Sequence, residues 1–421
     1  MTNRDHEQTK KTIYHKTRLD SGIRVVSETI PYVHSVSVGI WANVGSRDEE
    51  KSQNGISHFL EHMVFKGTKN RNVREIAQSL ESLGGYLNAF TTKEHTCFYA
   101  RVLDEHLPKA MDVLTDLIQN ATFKEEELEK EKRVVIEELK NAEDNPEDII
   151  HDYFEKELFP SHSMGFPIIG TEENLRRFKR ENLREHIKTH YLPTRIVVAA
   201  AGNVNHRQLV SLVDRYLKRL QVTDSRMKRV KVPVRMVNRS FKEYARQINQ
   251  AHICLGTVAY GIKHKDKYPL LVMNALLGEG MSSRLYQTLR EKYGLAYSVY
   301  SFVNTLSDTG VFGAYIGTDK NKVNDSIELM HEEFSKLKSR PVSRAELART
   351  KSQIKGMMML SLENMSGRMM RVGSGELYFD SYNSLDSILA KVQAVTPEAI
   401  HRVANDLFEK DRFTTVVIRP S

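Results

Sequence analysis

The chain has 421 residues, 40% of them hydrophobic and 28% charged, which is globular composition and too long for one core, so two or three domains are expected. Its two cysteines, Cys97 and Cys254, exclude a disulfide scaffold and a cysteine metal cluster, and no apolar run reaches the ~18 residues of a membrane helix. The net charge of +8 is densest at 226–240, a stretch without interleaved aromatics, so it reads as a solvated linker and nucleic-acid binding is not expected. The first twenty residues lack an apolar core and carry acidic residues, which fits neither a signal nor a transit peptide; the expected location is the cytoplasm.

In chain order, 35–46 is a β-rich run and 54–68 a helix closing at Gly67. A second amphipathic helix follows at 73–85, then a hairpin over 86–102 turning near Thr92–Glu94. Helices are expected at about 105–119 and 124–142, a buried strand at 195–204 and a helix at 206–220. The order then restarts: a β-rich run at 251–261, a helix at 268–278, paired strands at 294–304 and 309–319, and a last strand at 412–420. An offset of 217 aligns Gly39 with Gly256 and Arg195 with Arg412. The expected fold class is α+β, two tandem homologous α/β-sandwich domains, each a mostly antiparallel sheet packed with helices, forming a clamshell. The first domain is 1–220, the linker 221–240 and the second domain 241–421.

His58, Glu61 and His62 form H-x-x-E-H inside the 54–68 helix. Ile56, Phe59, Leu60, Met63 and Val64 make one apolar stripe, and the three polar residues fall on the other side. At about 100° per residue, Glu61 lies about 60° to one side of His58 and His62 about 40° to the other. Two imidazoles one turn apart can grip one metal ion with the carboxylate beside it. Zinc accepts imidazole and carboxylate ligands, and a catalytic site keeps three of them and an open position for water. A carboxylate that is off the metal can take that water's proton. The residues alone leave the third ligand open. On the 124–144 helix Leu128, Val135, Leu139 and Ala142 mark an apolar face that Glu131 and Glu138 share, whereas Glu137 lies with Lys130, Arg133, Lys140 and Asp144. Carboxylates on an inward face need partners, either a metal or buried salt bridges to nearby basic residues.

These residues carry a resemblance. The chain resembles the pitrilysin/insulinase family of inverted-zincin metallopeptidases, in its short two-domain branch of mitochondrial processing peptidase subunits and bacterial processing-type proteases. The likeness covers nearly the whole chain and includes GGYLNAFTTKEHT (84–96), HYLPTRIVVAAAGNV (190–204) and SSRLYQTLREKYGLAYSVYS (282–301). It implies one zinc ion on His58, His62 and Glu138, because the family's third ligand stands 76 residues after the second histidine. Glu61 is then the general base, and Glu131, seven residues before the ligand, orients the site. From the second domain the resemblance implies Arg290 and Tyr297, seven apart, reaching substrate across the cleft. It also implies that the strand at 85–91 pairs with substrate backbone through Asn88, Ala89 and Phe90. Segment 274–280, which answers to the zinc helix, has no histidine pair, so no second metal site is expected. The implied function is a zinc endopeptidase of extended peptides, working as a homodimer, with neither nucleic acid nor membrane as partner. The alternative is a non-catalytic structural or assembly subunit, or a peptide-binding relative of the same fold, although structural relatives have usually lost part of the motif that this chain keeps. One departure, at 162–171, is a missing proline after the histidine and touches a loop. His186 and His190 are also one turn apart but enclose no base, so they read as packed or surface residues.

Overall fold

The structure, a computed structural model, describes residues 13–218, 220, 229–233 and 240–421; most of the expected linker, 221–228 and 234–239, lies outside them. The strands are β1 (Ile13–Arg18), β2 (Arg24–Thr29), β3 (Ser35–Ala42), β4 (Tyr86–Thr91), β5 (Thr96–Leu103), β6 (Ile196–Gly202), β7 (Ser240–Arg246), β8 (Ala251–Ala259), β9 (Ala296–Thr305), β10 (Gly310–Thr318) and β11 (Thr414–Pro420). The helices of the first half are α1 (Ile56–Val64), α2 (Val73–Glu81), α3 (Leu107–Asn120), α4 (Glu125–Asp144), α5 (Pro146–Leu158), α6 (Glu172–Arg177), α7 (Arg180–His190) and α8 (His206–Leu217). Those of the second half are α9 (Lys267–Gly278), α10 (Val323–Ser339), α11 (Arg344–Ser361), α12 (Met365–Phe379), α13 (Leu385–Gln393) and α14 (Pro397–Leu407).

Two mixed sheets result, ordered β1-β2-β6-β3-β5-β4 and β7-β11-β8-β10-β9. Each has one parallel pair, β2 with β6 and β7 with β11, among antiparallel neighbours. Without β1 the two orders coincide strand for strand, so the restart read along the chain is a repeated pairing scheme. The expected elements do not include β1, β2, β7, α5 to α7 or α10 to α14, and of these α5 and α12 prove decisive for packing.

The strand IVVAAAG of β6 is buried throughout because both of its faces are covered. Ile196, Val198 and Ala200 enter one core with α1, α3 and α8, while Val197, Ala199 and Ala201 enter another. That second face is covered by α12, from the far half of the chain, through Met369 and Val372. Reciprocally, α5 packs on β8 and β11, with Ile150 and Phe154 against Cys254, Val416 and Ile418. The halves therefore exchange one helix each. Gly39 and Gly256, the pair found by the offset, are the seats for these helices: a Cβ at Gly39 would lie 2.9 Å from Met369 Sδ, and one at Gly256 would lie 2.8 Å from Phe154 Cζ. No helix among the described residues is long and apolar enough to cross a membrane.

Candidate metal centre

The apolar stripe of α1 is buried as its period requires: Ile56, Phe59, Leu60, Met63 and Val64 all face the core. His58, Glu61 and His62 are left half-buried on the side where α1 meets α4 and β4. The start of the helix is held by Glu49, a fully buried carboxylate that accepts from the amides of Gly55 and Ser57, both at 2.8 Å, and from Asn54 Nδ2 at 3.0 Å.

Both imidazoles turn Nε2 toward one carboxylate. His62 Nε2 lies 3.4 Å from Glu138 Oε2, and His58 Nε2 lies 3.8 Å from Glu138 Oε1. One ligand atom from each of the three residues falls within 4.8 Å of the others. Around an ion bound at about 2.0–2.1 Å, tetrahedral ligand atoms sit about 3.3–3.4 Å apart; the His62–Glu138 pair stands at that spacing, His58 stands wider, and the two imidazoles and carboxylate are donors that zinc accepts. The opposite nitrogen of His62, Nδ1, meets Glu131 Oε1 at 2.9 Å, and Lys66 Nζ pairs with Glu131 Oε2 at 2.7 Å. Glu131 is thus the buried, salt-bridged carboxylate of the pair, and Glu138 is the one open to an ion. Glu138 is not on the inward face as expected; its side chain is 47% exposed. The helix period leaves the two carboxylates within about 20° of each other, so the difference comes from the neighbours: His62 and Lys66 of the α1 segment cover Glu131. Glu137 stays outside, exposed and paired with Lys140 at 2.7 Å.

Electrostatics follow burial. Desolvation, with His62 alongside, lowers the His58 imidazole to about 4, which keeps it in the neutral form that ligates metal. Burial pulls His62 down, but the Glu131 hydrogen bond and the Glu138 and Glu61 carboxylates outweigh it and raise this ring. Burial raises Glu61, against the pull of a hydrogen bond from Thr91 Oγ1 at 2.6 Å.

β4 is the outer strand of its sheet, paired on one side with β5. Backbone groups of such a strand alternate between partner and open side. Thr92 N donates to His95 O at 2.8 Å across the turn, so Phe90 and Asn88 face β5 and Ala89 faces the open edge. There the Ala89 amide is held by Asn88 Oδ1 at 2.8 Å. Of the three expected contact residues, Ala89 presents backbone while Asn88 and Phe90 present side chains. In the second half, Arg290 lies in a π-helical turn, Tyr286–Lys292, and donates to Tyr297 O at 2.8 Å while its guanidinium sits 4.8 Å from the Tyr297 ring. Tyr297 is 79% exposed. Among the described residues, no hydrogen bond, ion pair or ring contact joins Arg290 or Tyr297 to His58, Glu61, His62 or Glu138. His186 and His190 are buried away from the group, His186 against Ser57 Oγ at 3.2 Å.

The sequence reading misses Thr91, Glu49 and Lys66. Lys66 is one turn beyond His62, a visible signal; the other two act through contacts between separate elements and leave none.

The comparisons with known proteins bear on this geometry. The family described as Insulinase (Peptidase family M16) matches residues 24–172, and the Peptidase M16 inactive domain matches residues 177–354. The chain is 42% identical over 401 residues to the uncharacterized zinc protease YmxG of Bacillus subtilis, covering 95% of this chain and 97% of that protein. The chain belongs to peptidase family M16. A second relative, the uncharacterized zinc protease SCO5738 of Streptomyces coelicolor, is 37% identical over 408 residues, covering 96% of this chain and 89% of that protein. A solved protease from Helicobacter pylori shares the fold at a TM-score of 0.92 with 24% identity, over 97% of this chain and 100% of that one. The second half of this M16 chain carries no counterpart of the motif: 217 residues on from His58, Glu61 and His62 stand Ala275, Gly278 and Glu279. Glu279 accepts from Asn274 Nδ2 at 2.8 Å instead.

Proposed function

We propose that this M16 chain is a zinc-dependent endopeptidase, of processing-peptidase type, that hydrolyses peptide bonds in extended or unfolded peptides. The observation that carries the reading is the convergence of His58, His62 and Glu138 within 4.8 Å, with Glu61 one residue before His62. His58, His62 and Glu138 would hold the zinc ion, which would supply Lewis-acid chemistry toward the attacking water and the scissile carbonyl. Glu61 has Oε2 held by Thr91, which leaves Oε1 to take the attacking water's proton and return it to the leaving amine. Glu131 fixes the His62 tautomer through Nδ1, so that Nε2 serves the site. The open edge of β4 at Ala89, flanked by Asn88 and Phe90, pairs with substrate backbone, which gives affinity with little sequence selectivity. From the second half, 241–421, the Arg290 guanidinium holds a substrate carbonyl and the Tyr297 hydroxyl stabilises the developing charge. The working unit in this reading is a cytoplasmic homodimer, with peptides as partners and neither nucleic acid nor membrane. The test is turnover of a quenched peptide by purified protein. Chelation abolishes it, stoichiometric zinc restores it, and Glu61→Gln retains zinc while losing about 10²–10⁴-fold in rate. Parental turnover by Glu61→Gln, or by metal-free protein, overturns the reading.

A further inference from the structure

We infer that Thr91 is a positioning residue for Glu61, and that the second half sets its position through the turn between β4 and β5. The inference rests on the peptidase reading for its consequence and on geometry for its substance. Among the described residues, Thr91 is the one side chain hydrogen-bonded to Glu61, at 2.6 Å. The orientation of that carboxylate therefore depends on where the end of β4 sits. Within three residues the chain is tied to the other half. Glu94 is buried, and its two oxygens accept from Ser307 N at 2.9 Å and from Ser307 Oγ at 2.6 Å. Ser307 stands in the turn between β9 and β10, so equivalent turns of the two sheets meet tip to tip. Arg47 seals the junction, donating to Glu94 Oε1 at 2.7 Å and to Asp308 Oδ2 at 2.9 Å. Its own amide donates to Lys93 O at 2.8 Å. Lys93 makes a second tie, to Glu155 of α5 at 2.8 Å, and α5 is packed on the second sheet.

Thr91 is the last residue of β4 paired with β5, opposite Thr96, and only the turn Thr92–Glu94, closed by Thr92 N on His95 O at 2.8 Å, separates it from this junction. Charge-assisted bonds between buried groups are short and directional, which makes the junction stiff. A change in the relation of the halves is then carried to Thr91 and on to Glu61 Oε2. The second half thereby acts on the base and not only on substrate.

A double-mutant cycle tests this, with T91V and S307A made singly and together in the full chain. T91V is expected to lower kcat about 10-fold, because small misplacements of a reacting group are costly, with KM and zinc content unchanged. T91S restores most of the loss. S307A is expected to lower kcat in the parental background and to have no further effect in the T91V background, since residues acting as one unit do not add. A crystal structure of metal-free S307A should show the Thr91–Glu61 bond broken or lengthened. Equal S307A effects in both backgrounds, parental kcat in T91V, or an unmoved Thr91–Glu61 bond would sink the inference. Should the parental chain cleave nothing, the peptidase reading fails, and the S307A structure still decides the coupling.

Discussion

Glu137 and Glu138 are adjacent carboxylates with different surroundings. Glu137 is paired with Lys140 on the solvent side of α4, while Glu138 lies 3.4–3.8 Å from the Nε2 atoms of two imidazoles. Glu138→Gln is therefore expected to lose zinc on dialysis and Glu137→Gln to keep it. Metal content of the two dialysed variants is the measurement, and equal retention in both would remove Glu138 from the ligand set. The contrast was legible at one-residue resolution because an α-helix rotates each successive side chain by about 100°. The distinction between Glu131 and Glu138 was not legible from the wheel. It depends on Lys66 and His62 reaching Glu131 from another helix.

At the scale of the element, α1 is held from its amino end. Glu49 offers its carboxylate to the first amides of the helix, which favours the charged form, but complete burial outweighs those bonds and pushes it up to about 7. The unfolded value is 4.5, so ionising this group in the folded chain costs about 3 kcal/mol more than in the unfolded one. With the folded value raised, the contribution to stability is complete below about 4.5 and is lost as the pH rises through about 7. Metal-free protein is therefore expected to lose stability relative to Glu49→Gln between pH 5 and pH 8. Denaturant midpoints of the two proteins across that range check the sign; a parental advantage that grows with pH contradicts it. Nothing near Glu49 in the chain announces this role, because it lies too far before α1 for a capping box and reaches the helix by a loop.

On the scale of the whole molecule, the exchange of α5 and α12 alters what each half can do alone. Segment 1–220 lacks α12, so the sheet face of Val26, Trp41 and Val197 would be bare, and buried Glu28 would lose Arg368 at 2.6 Å together with Arg371. Independent domains would let that segment hold zinc unaided. The exchange predicts instead that 1–220 shows no cooperative unfolding transition until 226–421 is supplied, which calorimetry of the separate and mixed segments measures. The two glycine seats should differ in tolerance. Gly39→Ala meets the flexible Met369 thioether and should cost about 1–3 kcal/mol. Gly256→Ala meets the Phe312 carbonyl oxygen at 2.1 Å as well as the Phe154 ring, and should cost more. Chemical denaturation ranks them. Tyr297→Phe, which shares no contact with the metal group, is expected to lower kcat with zinc content and stability unchanged; parental kinetics would remove the Tyr297 hydroxyl from the proposed machinery.

What the sequence by itself determined is what depends on short stretches of chain. The H-x-x-E-H face of α1, the Glu137–Glu138 contrast on α4, the hairpin over β4 and β5 and the repeat of Gly39 at Gly256 all follow from helix and strand periods or from counting residues. Only the tertiary structure decided which carboxylate meets which imidazole, that Thr91 holds Glu61, that Glu49 holds the helix start, and that α5 and α12 cross to the opposite sheets. The reason is physical. Rotation and alternation are local properties of the backbone, whereas a buried polar group takes whatever partner the packing of distant segments brings within hydrogen-bonding reach.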